Sequence, residues 1–179
     1  MTPRPESIRI ETLTAEPATL DALSDLLVET VAHGGSVSFM HPLAPAEARA
    51  FWEAALTAAA RGERMVLGAW ADGALLSTVT LLLDCPPNQP HRAELAKMMT
   101  APGARGRGLA LTLLREAERL AQAHGRTLLV LDTASDGGAA GLYERAGYTF
   151  AGEIPDYALK PHGGLTGTRL YYKRLPTAP

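Results

Sequence analysis

Apolar residues fall on one side of three stretches at helical spacing. Over residues 17–34, Leu20, Leu23, Leu26, Leu27 and Val31 make one stripe, and His33-Gly34-Gly35 ends it. A second stretch opens at Pro45 and runs to Arg61, with Gly62 after its end; Ala48, Phe51, Trp52, Ala55 and Leu56 are its inward candidates. In the third, Ala110, Leu113, Leu114, Ala117, Leu120 and Ala121 face one way. Arg115, Glu116, Glu118, Arg119 and Gln122 face the other, and Gly125 is placed as a left-handed cap. A short fourth helix is expected over residues 138–146, stopped by Gly147.

Between these lie alternating or unbroken apolar runs that predict strands, at residues 7–13, 64–71, 74–84, 91–100, 128–132, 148–154 and 167–174. Asp72-Gly73 joins the second and third as a tight hairpin. The run at 128–132 is nearly all apolar, as a strand covered on both faces would be. Residues 132–138 read as a polar loop, and residues 155–166, with Tyr157 and His162, as a long connection. The loop 36–44 carries Val37, Phe39, Met40 and Leu43, so it must cover either the core or a pocket. The resulting order, β-α-α-β-β-β-α-β-α-β-β, predicts a mixed α/β sheet with helices on both faces, in one domain over residues 1–179.

Composition narrows the function. A chain of 179 residues, 46% apolar and 20% charged, can build one sizeable core. A net charge of −2 argues against nucleic acid as an obligate partner. One cysteine, Cys85, leaves no internal disulfide and suggests no thiolate metal site, so no metal is expected. Residues 1–11 lack an apolar signal core, and no apolar run is long enough to cross a membrane. A cytoplasmic protein without a membrane partner is the expectation.

The chemistry concentrates where the strand at 91–100 meets the third helix. After the turn Ala101-Pro102-Gly103 comes Arg105-Gly106-Arg107-Gly108-Leu109-Ala110, and the helix follows at once. The first turn of a helix offers unpaired N–H groups and the positive end of the dipole. Glycines there let an anion approach the backbone, and two arginines add charge. A diphosphate suits such a place; an ordinary basic surface turn is the alternative. No Gly-Lys-Ser/Thr follows, and the third glycine of a dinucleotide fingerprint is absent.

Arg105-x-x-Gly108-x-Ala110 after a strand resembles the R/Q-x-x-G-x-G/A motif of the GCN5-related N-acetyltransferases, the GNAT family. Gly141-Leu142-Tyr143-Glu144-Arg145-Ala146-Gly147-Tyr148 resembles a second segment of that family, in the family order. The resemblance spans residues 8–173. Within it, residues 37–43, 91–99, 131–148 and 156–173 are similar to the family's tabtoxin-resistance branch. It implies a mostly antiparallel sheet in which the strands ending near Met99 and Asp132 splay apart, with acetyl-CoA entering the wedge. It further implies that Arg105, Gly106, Arg107, Gly108, Leu109 and Ala110 hold the diphosphate. Met98, Met99 and Thr100 would bond the pantetheine arm, and Tyr143 would protonate the departing thiolate. Many members carry an asparagine where this chain has Asp136. Aspartate accepts but does not donate, although the loop through Gly138 can still reach the cofactor by its backbone.

Attack by an amine on a thioester needs a proton acceptor. Glu94 sits in an apolar strand, where a carboxylate is costly unless paired or facing a cavity. Asp132 ends a buried strand, a common place for sites in α/β proteins. The resemblance supports this pair; the alternatives are that Glu94 faces solvent and Asp132 caps a loop. The resemblance implies that the loop 36–44 lines the acceptor site, where Phe39 would contact the acceptor and His41 would either do so or be an ordinary loop histidine. The reading is an acetyl-CoA-dependent N-acetyltransferase acting on a small amine, amino-acid-like or antibiotic-like, including the tabtoxinine-β-lactam type. A protein N-terminus, a polyamine, or a non-catalytic acyl-CoA sensor are the alternatives, and a homodimer is left open.

Overall fold

The computed structural model describes residues 8–176, so Ser7 of the expected first strand and the start of the expected signal-free segment lie outside it. Twelve elements follow in order, among the described residues: β1 (Arg9–Thr12), α1 (Pro17–Ala32), α2 (Pro45–Ala60), β2 (Arg64–Ala71), β3 (Ala74–Leu82), β4 (Arg92–Thr100), a 3-10 turn (Pro102–Ala104), α3 (Leu109–Ala123), β5 (Leu128–Ala134), α4 (Ala140–Arg145), β6 (Thr149–Leu159) and β7 (Leu165–Arg174). The strands form one sheet in the order β1-β2-β3-β4-β5-β7-β6. All neighbours are antiparallel except β4 and β5. This is the mixed, mostly antiparallel sheet expected.

Each helix buries the stripe its sequence carries. Leu20, Leu23, Leu26, Leu27 and Val31 of α1 join Ala48, Trp52, Ala55 and Leu56 of α2 in one core, closed by Leu13, Leu43 and Met99. On the opposite face, Leu109, Leu113, Leu114, Ala117 and Ala121 of α3 pack on Ala93, Leu95, Leu129 and Leu131. Two cores separated by a sheet make the three-layer arrangement that helix–strand alternation implies. Asp72 and Gly73 both take positive φ, 50° and 79°, as the tight turn between β2 and β3 requires. Among the described residues no helix is long and apolar enough to cross a membrane.

Two expectations need correction. The residues read as a long connection after Ile154 are largely strand: β6 runs through Leu159, β7 begins at Leu165, and the turn between them is short. Pro155 is tolerated because β6 is the sheet's edge, where a missing N–H removes no ladder bond. A bulge between Ile154 and Ala158, with Asp156 at φ 52°, absorbs the irregularity. In the same way β5 continues two residues past Asp132, so that residue lies within a strand and not at its end.

Candidate active site

The parallel ladder between β4 and β5 is short. It pairs Arg92 with Leu128, Ala93 with Leu129 and Glu94 with Val130, and then stops. Beyond it β4 follows β3 to Thr100, while β5 follows β7 to Ala134. The facing edges of the two strands are left without a strand partner, and a cavity of about 980 Å³ opens there. That is the upper end of the size that small-molecule and cofactor sites occupy. Met98, Met99 and Thr100 line one wall, Asp132 the other.

At one end of the cavity stands the turn before α3. Gly106 and Gly108 have φ of 77° and 80°, and a Cβ at either would meet nothing within 4 Å. The requirement for glycine is therefore conformational, and the space in front of both is open. Gly108 is the N-cap of α3, and no side chain bonds the helix's first N–H groups. Arg105, Gly106, Gly108, Leu109 and Ala110 line the cavity; Arg107 shares the turn without being among the lining residues. This uncapped, cation-flanked end fits a diphosphate.

Tyr143 is supplied by α4 and reaches the cavity from a buried position, 5% exposed. Its ring packs against Tyr148 and Tyr171 with centroids 6.1 Å and 5.9 Å away. Burial, and secondarily the charge of Asp132, push its phenol up to about 12. Its hydroxyl makes no hydrogen bond among the described residues. Asp132 is exposed into the cavity and accepts a 2.7 Å hydrogen bond from the Thr168 hydroxyl of β7. Asp136 also lines the cavity, as does Gly138, but its oxygens accept from Thr166 at 2.7 Å and pair with Lys160 at 3.2 Å. Those bonds hold its carboxyl below the usual range.

The other carboxylate is elsewhere. Glu94 pairs with Arg92 at 3.1 Å and is not among the cavity-lining residues. Of the expected pair, Asp132 lines the cavity and Glu94 does not; the cavity's other carboxylate, Asp136, is held by Thr166 and Lys160. Three residues past Glu94, β4 carries an ammonium instead. Lys97 lines the cavity with φ 53°, in the bulge that β4 makes against β3. A left-handed lysine costs roughly 1–3 kcal/mol of backbone strain. Simple alternation would put Lys97 on the α3 face with Ala93 and Leu95; the bulge turns it to the opposite face, beside Ser38 and Phe39. The apolar pattern of β4 does not single out Lys97. The signal available was one cation inside an apolar strand, but its face depends on a bulge that alternation does not reveal.

The loop between α1 and α2 roofs this end. Phe39 lines the cavity, and His41 does not. His41 instead ties the roof to the β6–β7 turn: its N–H bonds the Pro161 carbonyl at 2.9 Å, and its ring lies 4.5 Å from that of His162. His162 reaches the Ala32 carbonyl at 3.0 Å through Nε2.

Comparison with known proteins agrees with this geometry. The model of the acetyltransferase (GNAT) family matches residues 29–148. Among solved structures, one from Salmonella typhimurium with its cofactor acetyl-CoA is 19% identical, covering 94% of each chain at a TM-score of 0.76. A ribosomal-protein-alanine N-acetyltransferase from Brucella melitensis is 23% identical, covering 94% of this chain and 99% of its own at 0.77. An aminoglycoside 6'-N-acetyltransferase complexed with coenzyme A is 17% identical, covering 96% and 99% at 0.73. At these identities the structures speak for the fold. The family match covers more than half of the chain, including both the turn before α3 and the tyrosine of α4, and on it the chain belongs to the GNAT family of acetyltransferases and is an acetyl-CoA-dependent acyltransferase.

Proposed function

We propose that this enzyme transfers the acetyl group of acetyl-CoA to the amine of a small molecule, by direct attack on the thioester. The observation that carries the reading is the placement of Asp132 and Tyr143 in one cavity with the turn before α3. Acetyl-CoA supplies an activated carbonyl and a thiolate leaving group. Arg105 and the backbone N–H groups from Gly106 to Ala110 bind the diphosphate. The unpaired edge of β4 from Met98 to Thr100 orients the pantetheine arm. Asp132 takes the proton of the attacking amine, with Thr168 fixing its carboxylate. Tyr143 gives its proton to the departing sulfur. A covalent relay through cysteine is not part of this route, since Cys85 bonds the Arg92 carbonyl and lies outside the cavity lining.

The roof supports a small acceptor over a peptide; amino-acid-like and antibiotic-like amines, the tabtoxinine-β-lactam type included, fall within that class. The α1–α2 loop and the β6–β7 turn are joined by the His41–Pro161 and His162–Ala32 bonds. A peptide N-terminus would need those two loops parted. The experiment is a calorimetric titration with acetyl-CoA, followed by a thiol-release screen across small amines. Binding with release by a small amine supports the reading; release only with peptides transfers it to protein N-termini.

Two further outcomes follow. Arg105→Ala should weaken acetyl-CoA binding roughly 10-fold, the size of one charge-assisted phosphate contact, with little change in kcat; calorimetry reads this directly. The pH profile carries the sign of the Tyr143 shift. The raised value means that the donating phenol is fully present below the ordinary tyrosine value of ~10 and is lost only as pH rises through about 12. The rate should therefore show no Tyr143-dependent decline between pH ~8 and ~10. A decline there that vanishes in Tyr143→Phe would contradict the assignment.

A further inference from the structure

Among the described residues, four lysine and arginine side chains line the cavity: Lys97, Arg105, Arg145 and Lys160. Arg105 belongs to the turn before α3 and Arg145 to α4, the cofactor side of the wedge. Lys160 is paired with Asp136 at 3.2 Å. Lys97 stands on the other side, under the α1–α2 loop, and among the described residues no carboxylate lies within ion-pair distance of it. Its ammonium donates to the Ser38 hydroxyl at 3.0 Å and lies 5.9 Å and 5.6 Å from the ring centroids of Phe39 and Phe51. One neutral hydrogen bond and two ring faces are a thin replacement for hydration.

Asp132 faces the same space without closing an ion pair to Lys97. Its charge acts on Lys97 and on Tyr143 alike, so the carboxylate stands where both feel it. The acceptor end thus carries a negative pole next to the reacting tyrosine and a positive pole under the roof. An acceptor that is only cationic would satisfy the first and be repelled by the second.

We propose that Lys97 is the specificity-determining residue that binds the carboxylate of a zwitterionic, amino-acid-like acceptor whose amine lies at Asp132. This rests on the acetyl-transfer reading above and deepens it to a substrate class. A carboxylate docked on Lys97 gives the ammonium the counter-ion it lacks. The same bond fixes the amine at one distance from Asp132, as two-point attachment does for a short zwitterion. The bulge in β4 brings the lysine to the acceptor face, in a left-handed conformation that a lysine adopts only at a cost in backbone strain. Burial pushes the Lys97 ammonium below the ordinary lysine value while Asp132 pulls it back, consistent with a desolvated cation awaiting an anion.

The test is binding by calorimetry to the full chain, with and without coenzyme A. The probes are the common L-amino acids, their C-terminal amides pair by pair, and a linear polyamine. At least one acid should bind roughly 10- to 100-fold more tightly than its amide, the weight of a charge-assisted bond, and the polyamine should bind worse than that acid. Lys97→Met should erase the acid-over-amide preference while leaving acetyl-CoA affinity and the melting temperature near wild type. Lys97→Gln, which keeps a donor for Ser38, should also lose the preference, so a folding defect in one variant does not decide the matter. Equal binding of acid and amide, tighter binding of the polyamine, a preference that survives both substitutions, or no binding across the panel would each overturn the assignment. Failure of acetyl-CoA itself to bind would instead overturn the transferase reading, because amino-acid binding is read without turnover.

Discussion

Asp132→Asn is expected to lower kcat by roughly 10²- to 10⁴-fold, the range that a positioned general base contributes. Asparagine keeps the shape of the side chain, and its carbonyl oxygen can still accept the Thr168 hydroxyl that bonds Asp132 at 2.7 Å. What it loses is the capacity to take a proton from the attacking amine. Acetyl-CoA affinity should stay near wild type, because the diphosphate turn belongs to a different part of the cavity. Glu94→Gln is the matched control. Glu94 is tied to Arg92 at 3.1 Å outside the cavity lining, so its change should alter kcat by no more than about 3-fold, within the weight of an exposed ion pair. Steady-state thiol release separates the two. A large loss in Glu94→Gln with a small one in Asp132→Asn would move the base from β5 to β4.

Tyr143→Phe is the second large effect, with kcat expected to fall about 10²-fold or more and acetyl-CoA affinity to hold. The phenylalanine ring keeps the contacts with Tyr148 and Tyr171. The lost hydroxyl leaves no orphaned partner behind, since it bonds nothing among the described residues. The protein should therefore melt near the wild-type temperature, and the loss should be chemical. Single-turnover measurement places it: the acetyl-transfer step should slow while coenzyme A release does not. Unchanged turnover would remove Tyr143 from the proton path, and the thiolate would then leave with a proton from solvent.

The sequence exposed what repeats along the chain and concealed what depends on a local break. The stripes of α1, α2 and α3 each had buried faces written at i, i+3 and i+4, so their packing was legible. So was the turn before α3, because glycine takes the positive φ found at residues 106 and 108 without the strain a side chain would add. Strand edges were harder. Pro155 reads as the end of a strand, yet an edge strand has no ladder bond to lose there, and β6 continues past it. Glu94 and Lys97 show the same limit in β4. Both stand in one apolar strand, and alternation alone cannot tell that a single extra residue puts the lysine, and not the glutamate, in the cavity. The apolar run predicts a strand that ends at Asp132, whereas that residue lies within β5, just past the last rung shared with β4.

Thiol release measured with the wild-type chain decides whether the wedge between β4 and β5 moves acetyl from acetyl-CoA to a small amine. Acetyl-CoA would be held at saturation while small amines, amino acids and short peptides are offered in turn. Coenzyme A should be released with a small amine, chiefly an amino acid, and that release should be lost in Asp132→Asn. Release with peptides alone, or with no acceptor at all despite tight acetyl-CoA binding, would contradict transfer to a small amine.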